Sequence, residues 1–256
     1  MRKSQFIFVL MLGCSLATMA KADTSYDNCV AAVGAANAAN CVPIGDSGTY
    51  YALSGAANNQ TMTIYGTTGD GSAASVPDFA FQPNGEPSTF PDGVTSLQAS
   101  GNVDIGNKAF YGATGLTSAN LTGVQTIESG AFLRATDLTS VVISDSLLDA
   151  EGNILQYAKR DGVYTGINPS AFNGSGLNTI YCPTDRTCGN SFTGLSGTLK
   201  IIPYSIDENG QIKAGGKTYA SLNDLASGNH IVKRIYTIDE ANAVAGKVNS
   251  VKIRYR

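Results

Sequence analysis

Apolar residues recur along this chain in short alternating segments at a fixed period. Five segments begin at residues 94, 116, 138, 177 and 199, spaced by 22, 22, 39 and 22. They read Val94-Thr-Ser-Leu97-Gln-Ala99, Leu116-Thr-Ser-Ala119-Asn-Leu121, Leu138-Thr-Ser-Val141-Val-Ile143, Leu177-Asn-Thr-Ile180-Tyr-Cys182 and Leu199-Lys-Ile-Ile202-Pro-Tyr204. Apolar side chains alternate with mostly small polar ones, the period-two pattern of a half-buried strand. A unit this short cannot bury its apolar side alone and must stack on its neighbours, so the period predicts a solenoid. The register turns Leu116, Ala119 and Leu121 inward and Ser118 and Asn120 outward. It places Ser96, Gln98, Ser140, Val142, Thr179 and Tyr181 on the same outer face, which predicts a shallow, accessible polar surface with two apolar members, Val142 and Tyr181.

A second element precedes three of the strands. Ile105-Gly-Asn-Lys-Ala109-Phe110, Ile127-Glu-Ser-Gly-Ala131-Phe132 and Ile167-Asn-Pro-Ser-Ala171-Phe172 share an Ile, an Ala-Phe pair and constant internal spacing. One phenylalanine per repeat is placed to fill a core against its copies above and below. These residues resemble the BspA-like leucine-rich repeats of bacterial surface proteins, whose unit runs approximately I-x-x-x-A-F-x-x-x-x-x-L-x-x-[IV]-x-[IL]-P. The match is close for residues 105–126 and 127–143 and interrupted for 167–183, where Cys182-Pro183 takes the apolar-Pro position. Residues 88–99 and 189–204 keep the strand and lose most of the Ile/Ala-Phe element, as terminal repeats do when they must cap an exposed core. The resemblance implies a leucine-rich-repeat arc and a role in adhesion or surface recognition.

The 39-residue spacing is one period plus an insertion of 17, at about residues 145–164, carrying Tyr157, Lys159, Arg160 and Tyr164. Asp149-Ala-Glu-Gly152 within it is echoed by Asp207-Glu-Asn-Gly210, and both predict hairpin turns. Neither supplies the alternating oxygen ligands of a calcium loop. Residues 23–87 form an N-terminal cap region, with a short helix or irregular segment between Cys29 and Cys41 and a strand at 61–65. Residues 205–256 leave the repeat. Alternation at 231–236 and 248–255, with a capping-box start at Thr237-Ile-Asp-Glu240 between them, predicts a small C-terminal β–α–β module. The expected fold is therefore α/β and β-rich: a short right-handed leucine-rich-repeat arc over residues 88–204, with this module behind it.

Residues 1–22 read as a secretory signal peptide: Arg2 and Lys3, an apolar run from Phe6 to Leu12, and Ala20-Lys21-Ala22 before Asp23. Met11-Leu12-Gly13-Cys14 only loosely resembles a lipoprotein box, and cleavage after Ala22 fits the pattern better than lipidation at Cys14. No stretch reaches the roughly 20 apolar residues of a spanning helix, so no membrane span is expected. Removing the leader leaves 14 basic against 20 acidic side chains, which argues against a nucleic-acid partner. The balance is uneven: residues 23–203 hold 6 basic and 15 acidic residues, and residues 204–256 hold 8 and 5. Four cysteines remain in the exported chain, Cys29, Cys41, Cys182 and Cys188. An even count in an oxidising compartment reads as two disulfides, with local pairing the simplest of three connectivities. Their spacing does not suit a zinc site, and no other metal or cofactor motif is present.

Catalysis has little to work with. The single histidine, His230, sits in a Ser-Gly-Asn-His turn, and no Gly-x-Ser-x-Gly elbow occurs. Paired carboxylates of glycosidase type have no favoured spacing, which leaves a carbohydrate-active enzyme as the third reading. The leading expectation is a non-enzymatic secreted or cell-surface recognition protein for a host or envelope protein, with a glycan as an alternative partner. Candidate partner-binding residues are Ser118, Asn120, Ser140, Val142, Thr179 and Tyr181 on the repeat face, with Tyr157 and Arg160 in the insertion. The second expectation is an envelope structural or assembly subunit that docks through the C-terminal module.

Overall fold

The computed structural model describes residues 24–67, 73–82, 88–186, 188, 192–195 and 197–231. The predicted leader, the strands expected at 231–236 and 248–255 and the helix between them lie outside these residues, apart from Ile231 itself.

The chain is β-rich with few helices. A hairpin of β2 (Tyr50–Ala56) and β3 (Asn59–Tyr65), flanked by β1 (Val42–Pro43), leads into a mixed ten-stranded sheet. Next in it come β5 (Val94–Ser100), β7 (Ser118–Asn120), β9 (Ser140–Val142), β12 (Thr179–Pro183) and β13 (Lys200–Ile206). These are the five strands expected from the period, and each pairs with the next in parallel. Ser96 lies opposite Ser118, Ser118 opposite Ser140, Ser140 opposite Thr179 and Thr179 opposite Lys200. The 17 extra residues of the insertion leave this register intact, because they loop out between β9 and β12 and the ladder closes behind them.

The Ile of each Ala-Phe element builds a second sheet. Its strands are β4 (Ala74–Val76), β6 (Val103–Ile105), β8 (Val124–Ile127), β10 (Ala158–Arg160) and β11 (Val163–Ile167), in the order β10-β11-β8-β6-β4. Val76, Ile105, Ile127 and Ile167 form one rung, all buried. The Ala-Phe turns also bond across the period: Phe110 N–H donates to Ala131 O and Phe132 N–H to Ala171 O, both at 2.8 Å. Every part of the unit thus finds backbone partners one repeat away.

Between the sheets runs the phenylalanine column. Phe110 and Phe132 stack with centroids 5.1 Å apart at 8°, and Phe132 and Phe172 at 5.1 Å and 5°. Phe81 extends the column below and Phe192 closes it above edge-on. Each aromatic contact contributes about 0.5–1.5 kcal/mol beyond its area burial. Ala109, Ala131 and Ala171 are fully buried beside the rings, where a larger side chain would force the turns apart.

At the N-terminus, α1 (Ser25–Val33) starts at Thr24 with a capping box to Asp27, and Cys29 pairs with Cys41 across a Cα separation of 6.0 Å. Cys182 pairs with Cys188 at 6.4 Å, so the local connectivity is the one adopted. Both Asp-x-x-Gly turns have the same geometry: Gly152 N–H donates to Asp149 O at 3.0 Å, and Gly210 N–H to Asp207 O at 2.8 Å. In each, the aspartate side chain also accepts from the backbone N–H four residues on.

Past β13 the chain turns twice, through β14 (Ile212–Ala214) and β15 (Lys217–Tyr219), both antiparallel. It then forms a short helix, α2 (Leu222–Ser227), which the sequence pattern did not predict. Ser221 caps it by accepting from Asp224 N–H at 3.1 Å, and Gly228 ends it in the left-handed conformation.

Candidate functional site

The outward side chains of the repeat strands do share one face, but it is not the accessible surface expected. Val142 is 0% exposed, Asn120 4% and Ser118 1%, while Ser140, Thr179 and Tyr181 are half-buried. The reason is tertiary. One rung of the sheet carries Gln98, Asn120, Val142, Tyr181 and Ile202 side by side, polar at one end and apolar at the other. Helix α2 and the β14–β15 hairpin cover it. Val142 packs in a cluster with Tyr204, Ile212, Ala214, Tyr219, Leu225 and Ala226, with Tyr181, Ile202 and Leu222 against it. Burial and the neighbouring Tyr219 hydroxyl raise the Tyr181 pKa. Ser140 donates to Ala226 O, tying the helix to the strand.

Over the polar end of the rung the same helix supplies Asn223. Asn120 Nδ2 donates to Asn223 Oδ1 at 2.9 Å, and Asn223 Nδ2 donates to Gln98 Oε1. Thr122 donates to Asn120 Oδ1 from its hydroxyl at 2.8 Å. Beside this network lies a cleft of about 550 Å³, running from the start of α2 to the corner where the chain leaves β5 and β7 for the second sheet. Gln98, Asn102, Asn120, Gln125 and Asn223 line it, and none of the described side chains that line it is ionisable. The corner is tight: a Cβ on Gly123 would lie 2.4 Å from Gly101 O, so only glycine lets successive turns approach.

The insertion lies on the other sheet, so Tyr157 and Arg160 are not brought together with Val142 and Tyr181. It begins with a short 3₁₀ turn at Asp145–Leu147 and an antiparallel bridge from Leu148 to Ile154, then forms the β10–β11 hairpin. β11 joins β8 in parallel, and β10 is left as the sheet edge. Tyr157 and Tyr164 stack at 5.1 Å and 7°, with Lys159 Nζ 5.7 Å from the Tyr164 centroid. The Tyr157 hydroxyl donates to Glu128 Oε1 at 3.2 Å, and burial together with that carboxylate pushes its pKa up to about 12. Arg160 is committed inside the hairpin, donating to Thr165 O and Oγ1 and to Gln156 O. Val163 (62% exposed) and Tyr164 (49%) present the apolar surface of the hairpin.

Beside the hairpin, Asp104 occupies the same rung as Thr126, and burial raises its pKa. Its Oδ1 is buried and accepts no hydrogen bond among the described residues. Glu128 is raised by burial, with the charges of Asp78 and Asp104 adding to the effect. No group of three or more His, Cys, Asp or Glu side chains among the described residues is arranged to hold a metal ion. No helix among the described residues is long and apolar enough to cross a membrane.

Sequence reasoning passed over Asn102, Gln125 and Asn223. Carboxamides at Gln98 and Asn120, one period apart in the same register, were the available signal for the cleft. Asn223 carried none. Comparison of the chain with protein-family models, with curated proteins and with solved structures finds no match.

Proposed function

We propose that this chain is an exported, non-enzymatic recognition protein built as a BspA-like leucine-rich-repeat solenoid. In this reading it holds a protein partner, from a host or from the envelope, through its insertion hairpin. The parallel rungs at 22-residue offsets and the phenylalanine column support the solenoid. The two cysteine pairs support export, since such bonds persist in oxidising compartments.

The observation that carries the choice of surface is the difference in cover. The chain's own C-terminal segment buries the repeat face, whereas Val163 and Tyr164 stand open on the one hairpin that interrupts the period. An aromatic pair with the Glu128 carboxylate at one ring and the Lys159 ammonium over the other is a suitable anchor for a protein contact. The test is capture of partners from envelope and host-surface extracts by the mature protein and by a Val163→Ser/Tyr164→Ala double variant. Partners held by the wild type should be lost by the variant while its melting temperature is unchanged. Full retention would overturn the assignment.

One observation favours docking to the envelope as a second reading. Residues 232–256 hold six basic and two acidic side chains, a balance suited to an anionic surface. Removing them should release the protein from the envelope fraction and leave capture through the hairpin intact.

A further inference from the structure

We propose that the cleft between α2 and the first repeat corners is a binding site for a neutral sugar unit, separate from the insertion hairpin. Its chemistry selects the ligand class by elimination and by match. Among the described residues no lysine or arginine lines it, so a phosphate or carboxylate would find no counter-charge. No carboxylate lines it either, so an ammonium or guanidinium group gains nothing over water. No aromatic ring among the described residues lines it to stack a nucleobase. β5 and β7 are interior strands with both neighbours in place, so an extended peptide has no open edge to pair with.

What the cleft does offer is carboxamides. Each presents two N–H donors and a carbonyl acceptor, which suits vicinal hydroxyls that both donate and accept. The amides are held in fixed orientations by one another: Asn120 to Asn223, Asn223 to Gln98, and Gln125 Nε2 to Asn102 Oδ1 at 3.5 Å. That network leaves part of the hydrogen-bonding capacity of these amides unused. Gln98 Nε2, Asn102 Nδ2 and Gln125 Oε1 make no hydrogen bond to any described residue. Donors and acceptors are thus left available on the repeat side of a 550 Å³ space, within the size range of small-ligand sites. Without an aromatic floor the affinity for a single unit is low, with Kd about 1 mM, and a polysaccharide would gain by repetition.

The test uses the mature full-length chain and four probes: cellobiose, maltose, lactose and N,N′-diacetylchitobiose. Saturation-transfer NMR and calorimetry should show at least one of them binding at about millimolar Kd. The pair Gln98→Ala and Gln125→Leu should weaken that binding about tenfold or more, equivalent to a loss of about 1.4 kcal/mol. A single cooperative unfolding transition should be kept, with the melting temperature falling only by the loss of the Asn223–Gln98 bond. The Val163→Ser/Tyr164→Ala variant should bind the sugar as the wild type does, which separates failure of this site from failure of the hairpin. The proposal is overturned if none of the four probes binds at up to about 50 mM, well above that Kd. It is equally overturned if the Gln98/Gln125 variant binds as tightly as the wild type.

Discussion

The outer faces of the two sheets are built largely from the same repeats, yet they are covered in different ways. On the ten-stranded sheet the outer rung runs from Gln98 and Asn120 to Val142, Tyr181 and Ile202, and a six-residue helix with its hairpin lies over it. On the five-stranded sheet the outer rung includes Asp104 and Thr126, and the insertion hairpin extends the sheet sideways and buries them in part, with Thr126 Oγ1 donating to Tyr164 O at 3.0 Å. The difference follows from side-chain chemistry. An apolar end of a rung recruits Leu222, Leu225 and Ala226 because their burial stabilises both partners. The rung carrying a carboxylate is covered at a cost, since burial desolvates the Asp104 charge and raises its pKa.

The strongest challenge to this comparison comes from the core the two faces share. Phe132 touches both sheets through its column, and Phe132→Ala should destabilise the chain by about 3–5 kcal/mol in urea unfolding. Amide exchange should then quicken in both sheets together. Quickening in only one would mean that the two faces do not rest on a common core. A smaller loss, about 2–4 kcal/mol, is expected for Leu225→Ala, which empties a fully buried position beneath α2. Here exchange should quicken in α2, β14 and β15 while β8 and β11 stay protected. Uniform loss of protection would remove the distinction between the two faces.

The smallest effect belongs to the face of the five-stranded sheet. Burial raises the Asp104 pKa, so the folded state holds that proton more tightly than the unfolded state does. The slope of stability with pH is therefore negative from the ordinary aspartate value up through the raised one, and flat above it. Asp104→Asn should flatten that acid-side slope and raise stability at neutral pH by under about 1 kcal/mol, given partial solvent screening. Parallel pH–stability profiles for variant and wild type would show that Asp104 does not carry the effect.

The parts of the fold that could be read in advance are those carried by neighbour-to-neighbour repetition. The five strand starts, the inward set of Leu116, Ala119 and Leu121, and the phenylalanine column all recur once per unit, so each copy reinforces the others. The two Asp-x-x-Gly turns and the two cysteine pairs were legible because they are short-range, spanning four residues to a dozen. The candidate sites were legible only in fragments. Period-two alternation correctly placed Asn120, Ser140 and Val142 on an outer face, but alternation does not say whether anything lies over that face. The place of Arg160 in the insertion marks it as a candidate partner-binding residue, and its three hydrogen bonds within the hairpin could not be inferred from composition.

By itself the sequence determined the repeat, its register and the residues that face inward, because periodic apolar spacing specifies contacts between units 22 residues apart. Only the tertiary structure decided how each outer face is covered and where the carboxamide cleft closes. Those contacts join Asn223 to Asn120 and Gln98 across 103 and 125 residues, through a helix too short to show a period of its own. Docking of that kind depends on two surfaces matching once, and a single match leaves no repeating mark in the chain.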